Sequence, residues 1–233
     1  MQGKQNLSEA GKSLANIRDR WLVQYKDSLV SDILHFIPAV SALNGWIGGK
    51  ATDIQLRRLS DFLKELDQRL DDVAACALTE EELHDLSIWA FDAAAMSRGQ
   101  DKLKYMAEAL SQGVKGEVLA DEAEIALKIL SDLGEVEIKV LIVALKKTRN
   151  PQDEQHQYLP FYADGGFSTS VEGAYYLGSA LSGPTDNVLI ASTSNLFAKD
   201  LLVDDGAGRL SGAANQLWKP SPLAVWLVGI VAS

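Results

Sequence analysis

Residues 187–218, NVLIASTSNLFAKDLLVDDGAGRLSGAANQLW, decide how this fold is read. Asn187–Lys199 has helical spacing and follows Gly183-Pro184, so a helix starting from Thr185 is expected. Leu201-Leu202-Val203 and Gln216-Leu217-Trp218 read as short apolar strands. Between them lies Asp204–Ala214, where Gly206, Gly208 and Gly212 supply the positive-φ freedom a hairpin tip needs. Ser221 as N-cap with Pro222 at the first helical position then opens a terminal helix, Leu223–Val231. The expected order is helix, two-stranded hairpin and capped helix, with Leu202 and Trp218 turned into the core.

That order is the layout of a winged-helix DNA reader, and the charge opposes that use. From Gly116 onward, 8 Lys+Arg face 15 Asp+Glu, a net of −7 within a chain of −10. Phosphate backbones and anionic membranes both select the opposite sign. The outward side of the expected reading helix holds Asp186, Asn187, Ser194 and Asn195, with Lys199 its single base. A basic cluster occurs at Lys146-Lys147-x-Arg149, where the C-terminus of a helix already accounts for it. DNA binding would therefore have to rest on Lys146, Lys147, Arg149, Lys199 and Arg209.

Working backwards, Glu117–Leu133 is expected as a helix stopped by Gly134. Glu135–Lys147 is expected as another, since acidic residues lead it and Lys146 and Lys147 close it. Asn150–Gly166, with Pro151 and Pro160, reads as a long loop, and Thr169–Ser182 as a helix pairing with the one from Thr185.

No proline interrupts the chain between Pro38 and Pro151, and helical periodicity dominates there. Leu14, Ile17, Trp21, Tyr25 and Leu29 share one face of a first helix from about Ser8. Pro38 with Gly45, Gly48 and Gly49 predicts a broken apolar hairpin at 30–50. Leu56, Leu59, Leu63, Leu66, Leu70, Val73 and Ala77 then step by threes and fours, an a/d seam expected to pack on neighbouring helices. Thr79-x-x-Glu82 is a capping box that starts a helix carrying Leu83, Leu86, Trp89, Ala90 and Ala93. One more helix is expected around Gln100–Gln112, with Gly113-Val114-Lys115-Gly116 as a linker. The expected fold is mainly α: a helical bundle over residues 1–115, then a winged-helix-like domain with a small β-hairpin over 116–233.

Three stretches carry a resemblance: FIPAVSALNGWIGG with the LRRLSDFLKELDQRL helix after it, ALKILSDLGEVEIKVLIVAL, and WKPSPLAVWLVGIV. They resemble a group of uncharacterised bacterial proteins, some encoded near phage-defence genes, that join an N-terminal helical domain to a C-terminal winged helix. In that group the last stretch reads aromatic, x, Thr-Pro-Leu-Gly; Ser221 and Ala224 stand here in place of its Thr and Gly. The resemblance implies the architecture and a place in antiviral defence. It implies no site residues.

Catalytic chemistry finds no foothold. His35, His84 and His156 have no second ligand at metal spacing, and His84 and Asp85 are expected to leave their helix on different faces. Gly45-x-x-Gly48-Gly49-Lys50-Ala51-Thr52 lacks both the spacing and the Lys-Ser/Thr pair of a phosphate loop. Ser168-Thr169-Ser170 and Ser192-Thr193-Ser194 have no accompanying base. Cys76, the sole cysteine, sits among alanines and is expected as a small core residue; one cysteine also excludes an internal disulfide. No cofactor, metal or catalytic residue is expected.

The N-terminus lacks the apolar core of a secretory signal, and the uncharged run Ile33–Gly49 is short and broken for a membrane span. A cytoplasmic location is expected. Phe36, Ile37, Trp46 and Ile47, around the Pro–Gly break, are the candidate partner-binding residues, with a buried core as the competing reading. The chain is thus expected to be a non-catalytic accessory or adaptor working through a protein partner or a second copy. The alternatives are a winged-helix DNA-binding regulator and a membrane-active effector using residues 29–49.

Overall fold

The computed structural model describes residues 19–36, 53–71, 73, 75–147, 158–166, 171, 173–204 and 217–231. It is mainly α-helical, with a small four-stranded mixed sheet near the C-terminus. Packing divides the chain into two units, residues 1–132 and 133–233.

In the first unit, residues 19–24 are helical, followed by α1 (Leu29–Phe36), α2 (Asp53–Leu70), α3 (Glu80–Met96), α4 (Gln100–Lys115) and α5 (Ala120–Asp132). The leucine seam explains the centre of this unit. Leu59, Leu63, Leu66 and Leu70 are all buried, as is Phe62, and α2 packs most extensively on α4. Each such side chain contributes about 1.5–3 kcal/mol of transfer free energy. The Phe62 ring meets Phe91 of α3 edge to face, with centroids 5.6 Å apart. At the end of α2, Arg69 reaches Glu65 at 2.9 Å and Glu108 of α4 at 2.6 Å.

The seam ends sooner than its spacing predicts. The helix stops at Leu70, Val73 is only half-buried and Ala77 is exposed. Instead of extending the helix, the Ala77 N–H donates to the Val114 carbonyl at 2.8 Å, so the backbone satisfies itself against the end of α4. Cys76 lies in this connection and is half-buried, outside the core expected for it. The capping box is present as read: Glu82 accepts from the Thr79 N–H at 2.8 Å, and the Glu82 N–H donates to the Thr79 hydroxyl at 3.3 Å.

The expected linker at 113–116 belongs to α4. Gly113 and Val114 are buried within that helix, and Gly116 ends it in the left-handed region at φ 72°. Gly113 is a contact glycine, since a Cβ there would lie 3.0 Å from the Ala123 Cβ of α5. Because α5 packs on α3 and α4, the division falls between Asp132 and Leu133, one helix later than the 115/116 boundary read from the glycines.

The second unit runs α6 (Glu135–Lys146), β1 (Phe161–Tyr162), β2 (Tyr175–Tyr176), α7 (Leu177–Ala180), α8 (Asp186–Ala198), β3 (Leu202–Asp204), β4 (Trp218–Pro220) and α9 (Pro222–Val231). Strand order is β2-β1-β4-β3. β4 is central and antiparallel to both β1 and β3, with Val203 opposite Lys219, while β2 joins β1 in parallel. Phe161, Leu177, Leu189, Leu196, Leu202 and Trp218 are buried in this unit's core.

Several local readings change here. Gly134 has φ −76° and is the N-cap of α6, with the Glu137 carboxylate accepting its N–H at 2.6 Å; it is no left-handed stop for α5. The long loop expected to Gly166 contains β1, because Phe161 finds Trp218 as its cross-strand partner. Among the described residues of the helix expected over 169–182, Tyr175-Tyr176 form a strand paired with β1, and Leu177–Ala180 alone coil, into a single turn. Aromatic pairs suit a pleated surface, and pairing overrides local propensity. The hairpin strands exist, one to two residues later than read, and Leu202 and Trp218 are turned inward as expected. The N-cap residues Thr185 and Ser221 stand where the sequence placed them, with the Ala224 N–H donating to the Ser221 hydroxyl at 3.1 Å.

Candidate interaction surface

Helix α8 holds the candidate site. Its sequence, DNVLIASTSNLFA, is apolar or neutral after the first residue, so no polar stripe dictates which face turns inward. Leu189, Ser192, Thr193 and Leu196 are buried. Two of these are small hydroxyl residues, and Thr193 meets its hydrogen-bonding need by donating to the Ile190 carbonyl at 3.0 Å. Larger apolar residues consequently face outward: Val188, Ile190 and Phe197 are 42%, 40% and 44% exposed. Every exposed position of α8, from Asn187 to Ala198, is uncharged.

Three anchors hold that face. Asn195 donates its side-chain amide to Glu137, a buried carboxylate of α6. Phe197 packs its ring on the buried Trp218 of β4, with centroids 4.9 Å apart. At the other end, Asp186 accepts from the Tyr176 hydroxyl and from the Gly165 N–H at 2.9 Å. That hydrogen bond holds the Tyr176 hydroxyl above its ordinary range, with burial and the negative charge of Asp186 adding to the effect. Tyr162 stacks on Tyr176 at 5.8 Å. The one ionisable side chain of α8 is thus engaged by its own unit.

Of the basic residues read for DNA, the three that are described do not gather on this helix. Lys146 ends α6 and is exposed; Lys147 follows it, with Nζ 5.8 Å from the centre of the Tyr175 ring. Lys199 is the C-cap of α8. All three lie at helix C-termini, where a cation complements the carbonyl end of the dipole. Arg149 and Arg209 lie outside the described residues, as do the hairpin glycines Gly206, Gly208 and Gly212 and the candidate partner residues Ile37, Trp46 and Ile47. Phe36 closes α1, and its side chain is likewise outside the description.

The sequence reading placed Asp186, Asn187, Ser194 and Asn195 outward; the last three are exposed, whereas Asp186 is half-buried against Gly165 and Tyr176, and the reading missed Val188, Ile190 and Phe197. The available signal was the neutrality of the helix itself. The expected separation of His84 and Asp85 is corrected: adjacent side chains swing together, with Nδ1 2.9 Å from Asp85 Oδ1. Among the described residues no helix is long and apolar enough to cross a membrane. Comparison of the chain with protein-family models, curated proteins and solved structures found no match.

Proposed function

We propose that residues 133–233 form a winged-helix-like unit that serves as a protein-docking module, in a chain that acts as a non-catalytic adaptor. The order helix, strand, strand, helix, helix, strand, strand, helix supports the winged-helix reading, with β4 between β1 and β3 and β2 an added parallel strand at the sheet's edge. In that reading α8 occupies the position from which such domains read DNA. The observation that carries the docking role is its exposed face, which is uncharged and bears Val188, Ile190 and Phe197. Nucleic-acid contacts go mostly to phosphates and need cations or an array of donors. A contact surface for protein is apolar at its centre and poor in charge.

The test pairs two measurements. A mobility-shift titration with generic duplex DNA at physiological salt should show binding weaker than the ~10⁻⁴–10⁻⁶ M of ordinary non-specific binders. Affinity capture from the native cell should retain a partner, or a second copy, that Ile190→Arg loses and Lys104→Glu on α4 keeps. Tight DNA binding abolished by replacing Lys146 and Lys147 would overturn the proposal in favour of a DNA-binding regulator.

A further inference from the structure

A cleft of about 250 Å³ opens in the first unit, lined by Trp89, Asp92, Ala93 and Met96 of α3, Lys102 of α4 and Ser131 of α5. At roughly 30 Å³ per water it has the room of about eight waters, enough for a short branched molecule. Trp89 and Met96 are exposed and form the apolar part of this lining, with the Met96 sulfur accepting from the Gln55 side-chain amide at 3.8 Å.

The charges around it are unevenly satisfied. Lys102 is buried and donates Nζ to the Ser131 carbonyl at 2.7 Å, where it meets the carbonyl end of α5. Lys128 is paired with Glu124 and stands 5.0 Å from the centre of the Trp89 ring, so that indole already presents a face to a cation. Asp92 is half-buried, and among the described residues its carboxylate has neither hydrogen bond nor ion pair. Burial pushes its carboxyl above the usual range, since nothing nearby compensates the lost water. A partly desolvated, unpaired carboxylate beside an indole and a thioether recognises a cation with an apolar body.

We propose that this cleft binds a primary alkylammonium group, its nitrogen on Asp92 and its alkyl body against Trp89, Ala93 and Met96. The site is independent of α8. The group could be supplied by a free amine or by a lysine side chain, and the two are separable.

The test is an NMR titration of the full chain, reading the Trp89 indole N–H, assigned through Trp89→Phe, and the Met96 methyl, assigned through Met96→Leu. The probes are 3-methylbutylamine, its isosteric alcohol 3-methylbutanol, 3-methylbutanoate and Nα-acetyl-lysine methylamide. The amine should bind at least about tenfold tighter than the alcohol, as expected for a charge-assisted hydrogen bond. Asp92→Asn should remove that preference and leave alcohol binding unchanged. Binding of the lysine derivative as tight as the amine would assign the group to a protein side chain; amine binding alone would assign it to a free metabolite. Equal binding of amine and alcohol, tighter binding of the carboxylate, or no shift from any probe would overturn the proposal.

Discussion

The side-chain amide of Asn195 donates to the buried carboxylate of Glu137, joining α8 to the first turn of α6 across 58 residues of sequence. The same carboxylate accepts the Gly134 N–H at 2.6 Å, so a single residue caps one helix and positions another. A buried charge persists only where its lone pairs are satisfied, and here two donors do that.

Replacing Glu137 by Ala strands both donors and should cost about 2–4 kcal/mol in urea unfolding. Asn195→Ala leaves the Gly134 contact in place and should cost about 1–2 kcal/mol. Equal costs for the two variants would show that the cap on α6 contributes nothing.

Leu63 lies fully buried on α2. Leu63→Asp introduces a charge there and should destabilise the protein by about 4 kcal/mol or more. Thermal melting checks this; an unchanged midpoint would mean that the seam does not hold the first unit together.

Trp218 and Phe197 touch, yet they should differ in energetic weight. Trp218 is 4% exposed in the core and Phe197 is 44% exposed on the surface. Trp218→Ala should cost about 3–5 kcal/mol through lost burial and a cavity. Phe197→Ala should lose little beyond the ring pair itself, about 0.5–1.5 kcal/mol. Denaturant titration of both variants tests the contrast, and a Phe197 cost equal to that of Trp218 would place Phe197 in the core.

Two carboxylates should move stability in opposite directions with pH. The Thr79 backbone N–H, and then its hydroxyl, hold the Glu82 carboxyl below its ordinary value. Its contribution is present above the unfolded value and is lost as pH falls through the folded one. Glu82→Ala should therefore melt below the wild type at pH 7, with the gap closing in acid. Asp92 is raised by burial, so its charge is a liability above the folded value that disappears below the unfolded one. Asp92→Asn should melt above the wild type at pH 7 and converge with it in acid. Melting curves across that range decide both signs.

Legibility in the sequence followed the range of the interactions. The capping box at Thr79 and Glu82, the starts at Thr185 and Ser221, and the burial of Leu59 through Leu70 depend on residues within about one helical turn, or on periodicity alone. Each could be read directly, because a cap or a stripe carries its own partner a few residues away. The net charge of −10 was legible for the same reason: charge is a sum over residues.

What only the tertiary structure decided depends on partners distant in sequence. Phe161 becomes a strand because Trp218 lies opposite it, and α2 yields to an irregular connection because Val114 accepts the Ala77 N–H. Gly113 serves helix contact with Ala123, and the division of the chain moves to 132/133 because α5 packs on α3 and α4. The outward face of α8 belongs to this class as well. A helix of mixed small and apolar residues has no preferred side of its own, so packing chose Leu189, Ser192, Thr193 and Leu196 for the interior and left Val188, Ile190 and Phe197 to solvent.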